Sequence, residues 1–261
     1  MISAVLFDFD GIIVDSERLH FKAFSAVLEP LGKSFTWPEY VETFIGFDDR
    51  DTFRTVFPTL GNPPRPSLHS GHPSAGGDGV KSPPAEGCPQ GGEGLSLDEL
   101  ITKKAAAFQA LLESDGAAAL PGAVELIQEL SGNIPLAICS GALLEDILPI
   151  LGKLGIENAF DTIVTADDTH ISKPDPAPYR LAMERLAVAA PDGRGTRRPA
   201  ASTGLAIEDT PAGIASAKGA GLKVLAVTNS YAREFLIEAD AIVDSLEGLS
   251  PEKLTELISA G

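Results

Sequence analysis

A short, mostly apolar and β-rich run at residues 3–7 ends abruptly in Asp8-Phe9-Asp10-Gly11. Such a run is long enough for a strand buried on both faces, and a strand of that kind belongs inside a parallel sheet covered by helices. Its acids then stand at the carboxyl edge, where open α/β sheets bind their ligands. Two carboxylates spaced i, i+2 with no base beside them in sequence repel each other unless a cation joins them, and a divalent metal is the simplest such partner.

The second half of the chain repeats the device. Strand patterns at 134–139, 162–165, 204–207, 223–227 and 241–243 alternate with helical patterns at 143–152, 175–187, 211–220 and the chain end. Alternation of this kind means βαβ units. The expected fold is therefore α/β: a doubly wound, Rossmann-like parallel sheet with helices on both faces.

Four helical patterns separate the first strand from the second. Leu19 to Leu31 carries apolar residues at helical spacing up to a stop at Gly32; further patterns cover 38–45 and about 48–57, broken at Gly46; Ser96, with Glu99 three residues on, opens the fourth as a capping box. They are too many for one crossover and predict an inserted all-α cap domain at 16–120, with the core at 1–15 and 121–261. Pro121-Gly122 opens the first helix of the returning core. Of the 34 residues at 61–94, 9 are Gly and 7 are Pro, so few large apolar side chains remain to offset the entropy of ordering the backbone. The expectation is a flexible insertion at about 59–95, and a mobile, solvated loop at 191–199.

Bulk properties narrow the partners. A formal charge of -17 and pI near 4.5 argue against nucleic acid or an anionic membrane surface. A small phosphorylated metabolite stays open, because a metal and a few local cations can reverse the field inside a cleft. Cys88 falls in the Pro/Gly-rich stretch and Cys139 in a predicted buried strand, which argues against a disulfide and for a reducing cytoplasm. No basic leader precedes the first strand and no apolar run approaches the roughly 18 residues of a membrane span. The expectation is a soluble, unprocessed cytoplasmic protein, a monomer or weak homo-oligomer.

The other strand ends carry chemistry too. Ser140-Gly141 follows the second strand just before a helix, where a hydroxyl and free backbone N–H groups make either a phosphate cradle or an N-cap. Lys173 stands in Ile-Ser-Lys-Pro-Asp-Pro-Ala-Pro-Tyr179, whose prolines fix a rigid approach to a helix and aim the ammonium at the sheet edge. Glu208-Asp209 leads into a helix starting at Pro211. With Asp8 and Asp10 these acids offer hard oxygen ligands for Mg²⁺, although Asp209 could also serve the helix N-terminus.

Together these residues resemble the four motifs of the haloacid dehalogenase (HAD) superfamily. Asp8-Phe-Asp10-Gly11 with Ile-Ile-Val-Asp-Ser-Glu is similar to motif I, Ser140 to motif II, Lys173-Pro-Asp-Pro-Ala-Pro-Tyr179 to motif III, and Glu208-Asp209-Thr-Pro-Ala-Gly213 to motif IV. They occur in the family's order, and the C1-capped group of β-phosphoglucomutase, phosphoglycolate phosphatase and sugar-phosphate phosphatases matches best. The resemblance implies Asp8 as nucleophile, Asp10 as general acid and base, and Lys173 as the cation that neutralises both nucleophile and phosphoryl group. It further implies Ser140 and Gly141 on the phosphate, and Mg²⁺ held by Asp8, Asp10, Glu208 and Asp209. Gly46-Phe-Asp-Asp-Arg50 resembles the loop by which the cap reaches the substrate; His20 and Lys104 match positions from which mutase-like members do the same. Arg50 comes one residue later than in the mutase pattern. The expected activity is Mg²⁺-dependent hydrolysis of a small phosphorylated metabolite such as a sugar phosphate, through an aspartyl-phosphate. The alternatives are a β-phosphoglucomutase-like mutase, a dehalogenase using Asp8 and a non-catalytic phosphometabolite-binding protein.

Overall fold

The computed structural model describes residues 2–60, 95–169, 171–188 and 200–259; the insertion expected at 61–94, Cys88 and the loop at 191–199 lie outside them. Alternation along the strands decides the layers. In β1 (Ala4–Phe7) all four residues are buried, Val5 and Phe7 in one apolar cluster and Ala4 and Leu6 in another. The same split recurs in β4 (Leu136–Cys139), β6 (Gly204–Glu208) and β7 (Lys223–Val227). With β5 (Thr162–Val164) and β8 (Ala241–Val243) they form one parallel sheet in the order β5-β4-β1-β6-β7-β8.

The two faces differ in side-chain size, and this sets how helices cover them. Phe7, Leu136, Ile138, Leu205, Ile207 and Leu225 lie under α5 (Ala123–Leu130), α6 (Leu144–Leu154) and α9 (Pro251–Ser259). Ala4, Ala137, Ala206 and Ala226 on the other face leave room for the close approach of α7 (Ala177–Val188) and the Ala/Gly-rich α8 (Pro211–Gly219). Register does the rest: Phe7 lies opposite Ile138 on one side and Ile207 on the other, so Asp8 emerges level with Glu208 and one residue before Ser140.

Between β1 and β4 come α1 (Glu17–Leu28), α2 (Trp37–Thr43), α3 (Asp49–Val56) and α4 (Leu97–Ser114). They enclose their own cluster around Phe24, Leu28, Tyr40, Phe53 and Leu100, while Leu19, Ala23, Phe108 and Leu112 on the inner faces of α1 and α4 join the sheet's larger cluster. Ser96 and Glu99 form the expected capping box, and Thr36 with Glu39 forms a second. Where the chain leaves and re-enters the sheet layer, β2 (Val14–Asp15) pairs antiparallel with β3 (Ala118–Ala119). Two-residue strands have no periodicity to read, and this ribbon is absent from the sequence expectation. Cys139 is buried as a free thiol, which burial pushes up from its ordinary pKa. Among the described residues no helix is long and apolar enough to cross a membrane.

Candidate active site

Parallel register gathers three carboxylates at the edge of β1 and β6. Asp8, Glu208 and Asp209 are all buried, and each places an oxygen within 4.8 Å of the others. A single cation answers them: Lys173 Nζ is 3.0 Å from Asp8 Oδ1 and 2.6 Å from Glu208 Oε1. Glu208 is further held by the Tyr179 hydroxyl at 2.7 Å and that of Thr210 at 3.3 Å. Burial alone would lower the Lys173 pKa, but the two carboxylates raise it.

Three acids against one ammonium leave negative charge over. Burial, then Glu208, pushes the Asp8 carboxyl up to about 8, against the pull of Lys173. Asp209 is raised well above the carboxylate range by burial, then by Asp8 and Glu208. Its Oδ2 takes the Ser230 hydroxyl, while its Oδ1 is buried without a partner among the described residues. An orphaned carboxylate oxygen beside an under-neutralised acid fits a divalent cation with a taste for hard oxygen, such as Mg²⁺. Asp8 and Asp209 are the residues that would hold it, since Glu208 is already tied to Lys173 and Tyr179. Glycine keeps the space open. A Cβ on Gly11, whose φ is +76°, would lie 1.9 Å from Asp209 Oδ2, and one on Gly213 would lie 1.9 Å from Glu208 Oε2.

Asp10 is not in this cluster. Its Oδ1 takes the Ser16 hydroxyl and lies 3.2 Å from His20 Nε2. Burial would raise its carboxyl, but His20, then Ser16 and Lys104, hold it below its ordinary value. Asp8 and Asp10 thus have separate partners, Lys173 for one and Ser16 and His20 for the other, although Asp10 still adds to the rise of the Asp8 carboxyl. Behind His20, Lys104 Nζ is 2.8 Å from Nδ1 and 2.8 Å from Asp49 Oδ1. The His20 ring stacks on Phe108 at 4.4 Å. His20 and Lys104, paired in the sequence only by resemblance, are neighbours in a chain of contacts from Asp10 to the loop at 46–50.

Two helix starts differ from expectation. Ser140 is not an N-cap: α6 begins at Leu144 with Leu143 in the cap position, and Ser140 Oγ closes a turn by accepting from Ala142 N at 3.0 Å. Its hydroxyl donates to none of the described residues, and Ser140 and Gly141 line the cleft. Likewise α8 is capped by Thr210, whose Oγ1 accepts from Gly213 N at 3.0 Å, and not by Asp209. Thr210 stands directly before Pro211, where its hydroxyl reaches the amide three residues on, while the Asp209 carboxylate is turned to the Ser230 hydroxyl.

The helical region closes the cleft from above. Arg50 donates from Nε and Nη2 to Asp48 Oδ2 at 3.1 and 2.9 Å, and Nη2 also reaches Thr169 O at 3.0 Å on the sheet side. The Ser172 hydroxyl donates to Asp51 Oδ2 at 2.6 Å. Glu17 and Tyr40 also line the cleft, the Tyr40 hydroxyl donating to Glu17 Oε2 at 2.8 Å. Glu17, Tyr40, Tyr179 and Ser230 escaped the sequence reading. Glu17 and Tyr179 stood inside the quoted motifs, but nothing local marks Glu17 as lining the cleft or the buried Tyr179 as a donor to Glu208.

A family model described as haloacid dehalogenase-like hydrolase matches residues 5–227. The chain is 30% identical over 263 residues to Protein CbbY of Cereibacter sphaeroides, with 98% of each covered. It is 27% identical over 252 residues to the phosphorylated carbohydrates phosphatase of Thermotoga maritima, covering 92% of this chain and 93% of that one. Among solved structures it is similar to CbbY from Rhodobacter sphaeroides in complex with phosphate, with 25% identity and a TM-score of 0.74 over 98% of this chain and 100% of the other. A match that runs through all four strand-end motifs and the helices between the first two of them means that the chain belongs to the haloacid dehalogenase-like hydrolase family.

Proposed function

We propose that the protein is a Mg²⁺-dependent phosphohydrolase acting on a small phosphorylated metabolite of the sugar-phosphate type, through an aspartyl-phosphate on Asp8. The observation that carries this reading is the asymmetry of Asp8. Its Oδ1 is held by Lys173 and by the N–H of Phe9 at 2.7 Å, while its Oδ2 takes no hydrogen bond from the described residues and Asp8 lines the cleft. A carboxylate fixed through one oxygen presents the other for in-line attack on phosphorus. Mg²⁺, when bound, supplies charge neutralisation for the phosphoryl oxygens.

The chain's own residues do the rest. Lys173 and the Ser140 hydroxyl hold the phosphoryl group, and Gly141 lies beside them. Asp10, held ionised by His20 and Ser16, is placed as the base that takes a proton from water in the second step. For the first step it must carry a proton to the leaving oxygen, and the phosphoryl dianion beside it favours that proton by opposing a second negative charge. The phosphatase name of the Thermotoga relative and the phosphate bound to the CbbY structure support the same reading. We take 1–15 and 121–261 as the core and 16–120 as the cap, with the β2–β3 ribbon at the junction, in a cytoplasmic monomer or weak homo-oligomer.

A mutase is the second reading, favoured by the contact of His20 with Lys104. The test is phosphate release from a panel of phosphorylated metabolites with and without Mg²⁺, beside β-glucose 1-phosphate with a trace of glucose 1,6-bisphosphate. Free phosphate dependent on Mg²⁺ is the expected result. Glucose 6-phosphate without phosphate release would establish the mutase, and neither product would leave a binding protein.

A further inference from the structure

The half of the cleft away from the transferred group has an unusual charge balance. Among the described residues lining the cleft, Arg50 is the one permanent cation besides Lys173, and it is already matched by Asp48 through both Nε and Nη2. Lys104 lies beneath, 1% exposed, between His20 and Asp49. Facing these two cations are three carboxylates, Glu17, Asp48 and Asp49. Asp48 pairs with Arg50 and Asp49 with Lys104, although Asp49 Oδ2 is buried without a partner, and Glu17 is the one of the three with no ion pair among the described residues. Tyr40 occupies its Oε2, and its Oε1 takes no hydrogen bond from the described residues.

We propose that this half of the cleft selects an uncharged, hydroxyl-bearing leaving group, so that the substrate is a monophosphate ester of a sugar or polyol with no second phosphate and no carboxylate, one of its hydroxyls donating to Glu17. The inference rests on the phosphohydrolase reading. A second anionic group would meet Glu17 directly, and it could recruit Arg50 only by displacing Asp48, a buried acceptor that also caps α3 through Asp51 N at 2.8 Å. A hydroxyl needs neither change: it supplies the donor that Glu17 lacks, and a site built around such a donor rejects analogues without it. Tyr40 holds the carboxylate still for that purpose.

The test compares kcat/KM of the full chain with Mg²⁺ for fructose 6-phosphate, fructose 1,6-bisphosphate and phosphoglycolate. The monophosphate is expected to be preferred over both others by about tenfold or more, the scale of a like-charge penalty in a partly buried site. Asp48→Asn keeps the helix cap but frees Arg50, and is expected to narrow the monophosphate-to-bisphosphate ratio severalfold, chiefly through KM for the bisphosphate. Glu17→Gln is expected to lower kcat/KM for fructose 6-phosphate by about tenfold and to raise that for phosphoglycolate severalfold, because the phosphoglycolate carboxylate then no longer meets a negative charge. Preference for the bisphosphate or for phosphoglycolate in the parent protein would overturn the proposal, as would a ratio unmoved by Asp48→Asn. A failure of the phosphohydrolase reading would look different, since none of the three esters would release phosphate.

Discussion

Lys104 Nζ lies 2.8 Å from His20 Nδ1, although the two residues are 84 positions apart in the chain. An ammonium has hydrogens to give and no lone pair, so Nδ1 must accept, and the ring hydrogen then belongs on Nε2, where it is donated to Asp10 Oδ1 at 3.2 Å. A lysine on α4 thereby decides how Asp10 is held at the sheet edge.

Replacing Lys104 by Met frees that tautomer while filling the same space. Lys104 also helps hold the Asp10 carboxyl below its ordinary value, so its loss should raise that value. The expected outcome is a fall in kcat of roughly 10–100-fold, with the acid limb of the pH–rate profile moved to higher pH. An unmoved limb in the rate profile would show that the contact is structural only.

Asp8→Asn should lower turnover by roughly three to six orders of magnitude, the loss seen when a nucleophile is removed. The amide keeps an oxygen for Lys173 and for the Phe9 N–H, and it adds no charge to the cluster. Thermal melting without metal should therefore stay within a few degrees of the parent protein, which separates loss of chemistry from loss of fold.

Magnesium should stabilise the parent protein, and the effect should depend on pH in a stated direction. With its pKa pushed up to about 8 by burial and Glu208, Asp8 binds a proton at neutral pH that a cation must displace. The Mg²⁺-induced rise in Tm is therefore expected to grow from pH 6 to pH 8.5. At a hundredfold excess over Kd it should reach about 5–10 °C. Calorimetry with a chelator control measures it, and a shift of equal size at both pH values would argue against Asp8 as a ligand.

Asp146, in α6, is a buried acid with a different task. Its Oδ1 accepts from Gln109 Nε2 of α4 at 2.7 Å, while its Oδ2 is buried without a partner among the described residues. Burial pushes its carboxyl up to about 6, partly offset by Lys104. Between about pH 4 and pH 6 the folded protein thus holds a proton that the unfolded chain has released, so this group's contribution to stability falls as pH rises through that window. Relative to the parent, Asp146→Asn should gain about 2–3 kcal/mol between pH 4 and pH 7, measured by urea unfolding at both. A difference that does not change with pH would refute the assignment.

The parts legible in the sequence are those recorded locally. β1 is apolar at every position because both of its faces are covered, Gly32 stops the turn after α1 with φ 69°, and Ser96 with Glu99 writes its own capping box. Asp8 and Glu208-Asp209 could be placed at strand ends for the same reason, since a strand that must be buried says where it stops, and Lys173 just before a helix by the prolines that follow it. Which acid meets which partner was not legible. Lys173 bridges to Asp8 and Glu208, Ser230 reaches Asp209, and Tyr40 reaches Glu17, across 21 to 165 positions of chain. Burial patterns repeat with the period of the backbone and so survive in the sequence. Pairing inside the low-dielectric cleft depends on distances of about 3 Å that only the packed helices and the sheet register bring about.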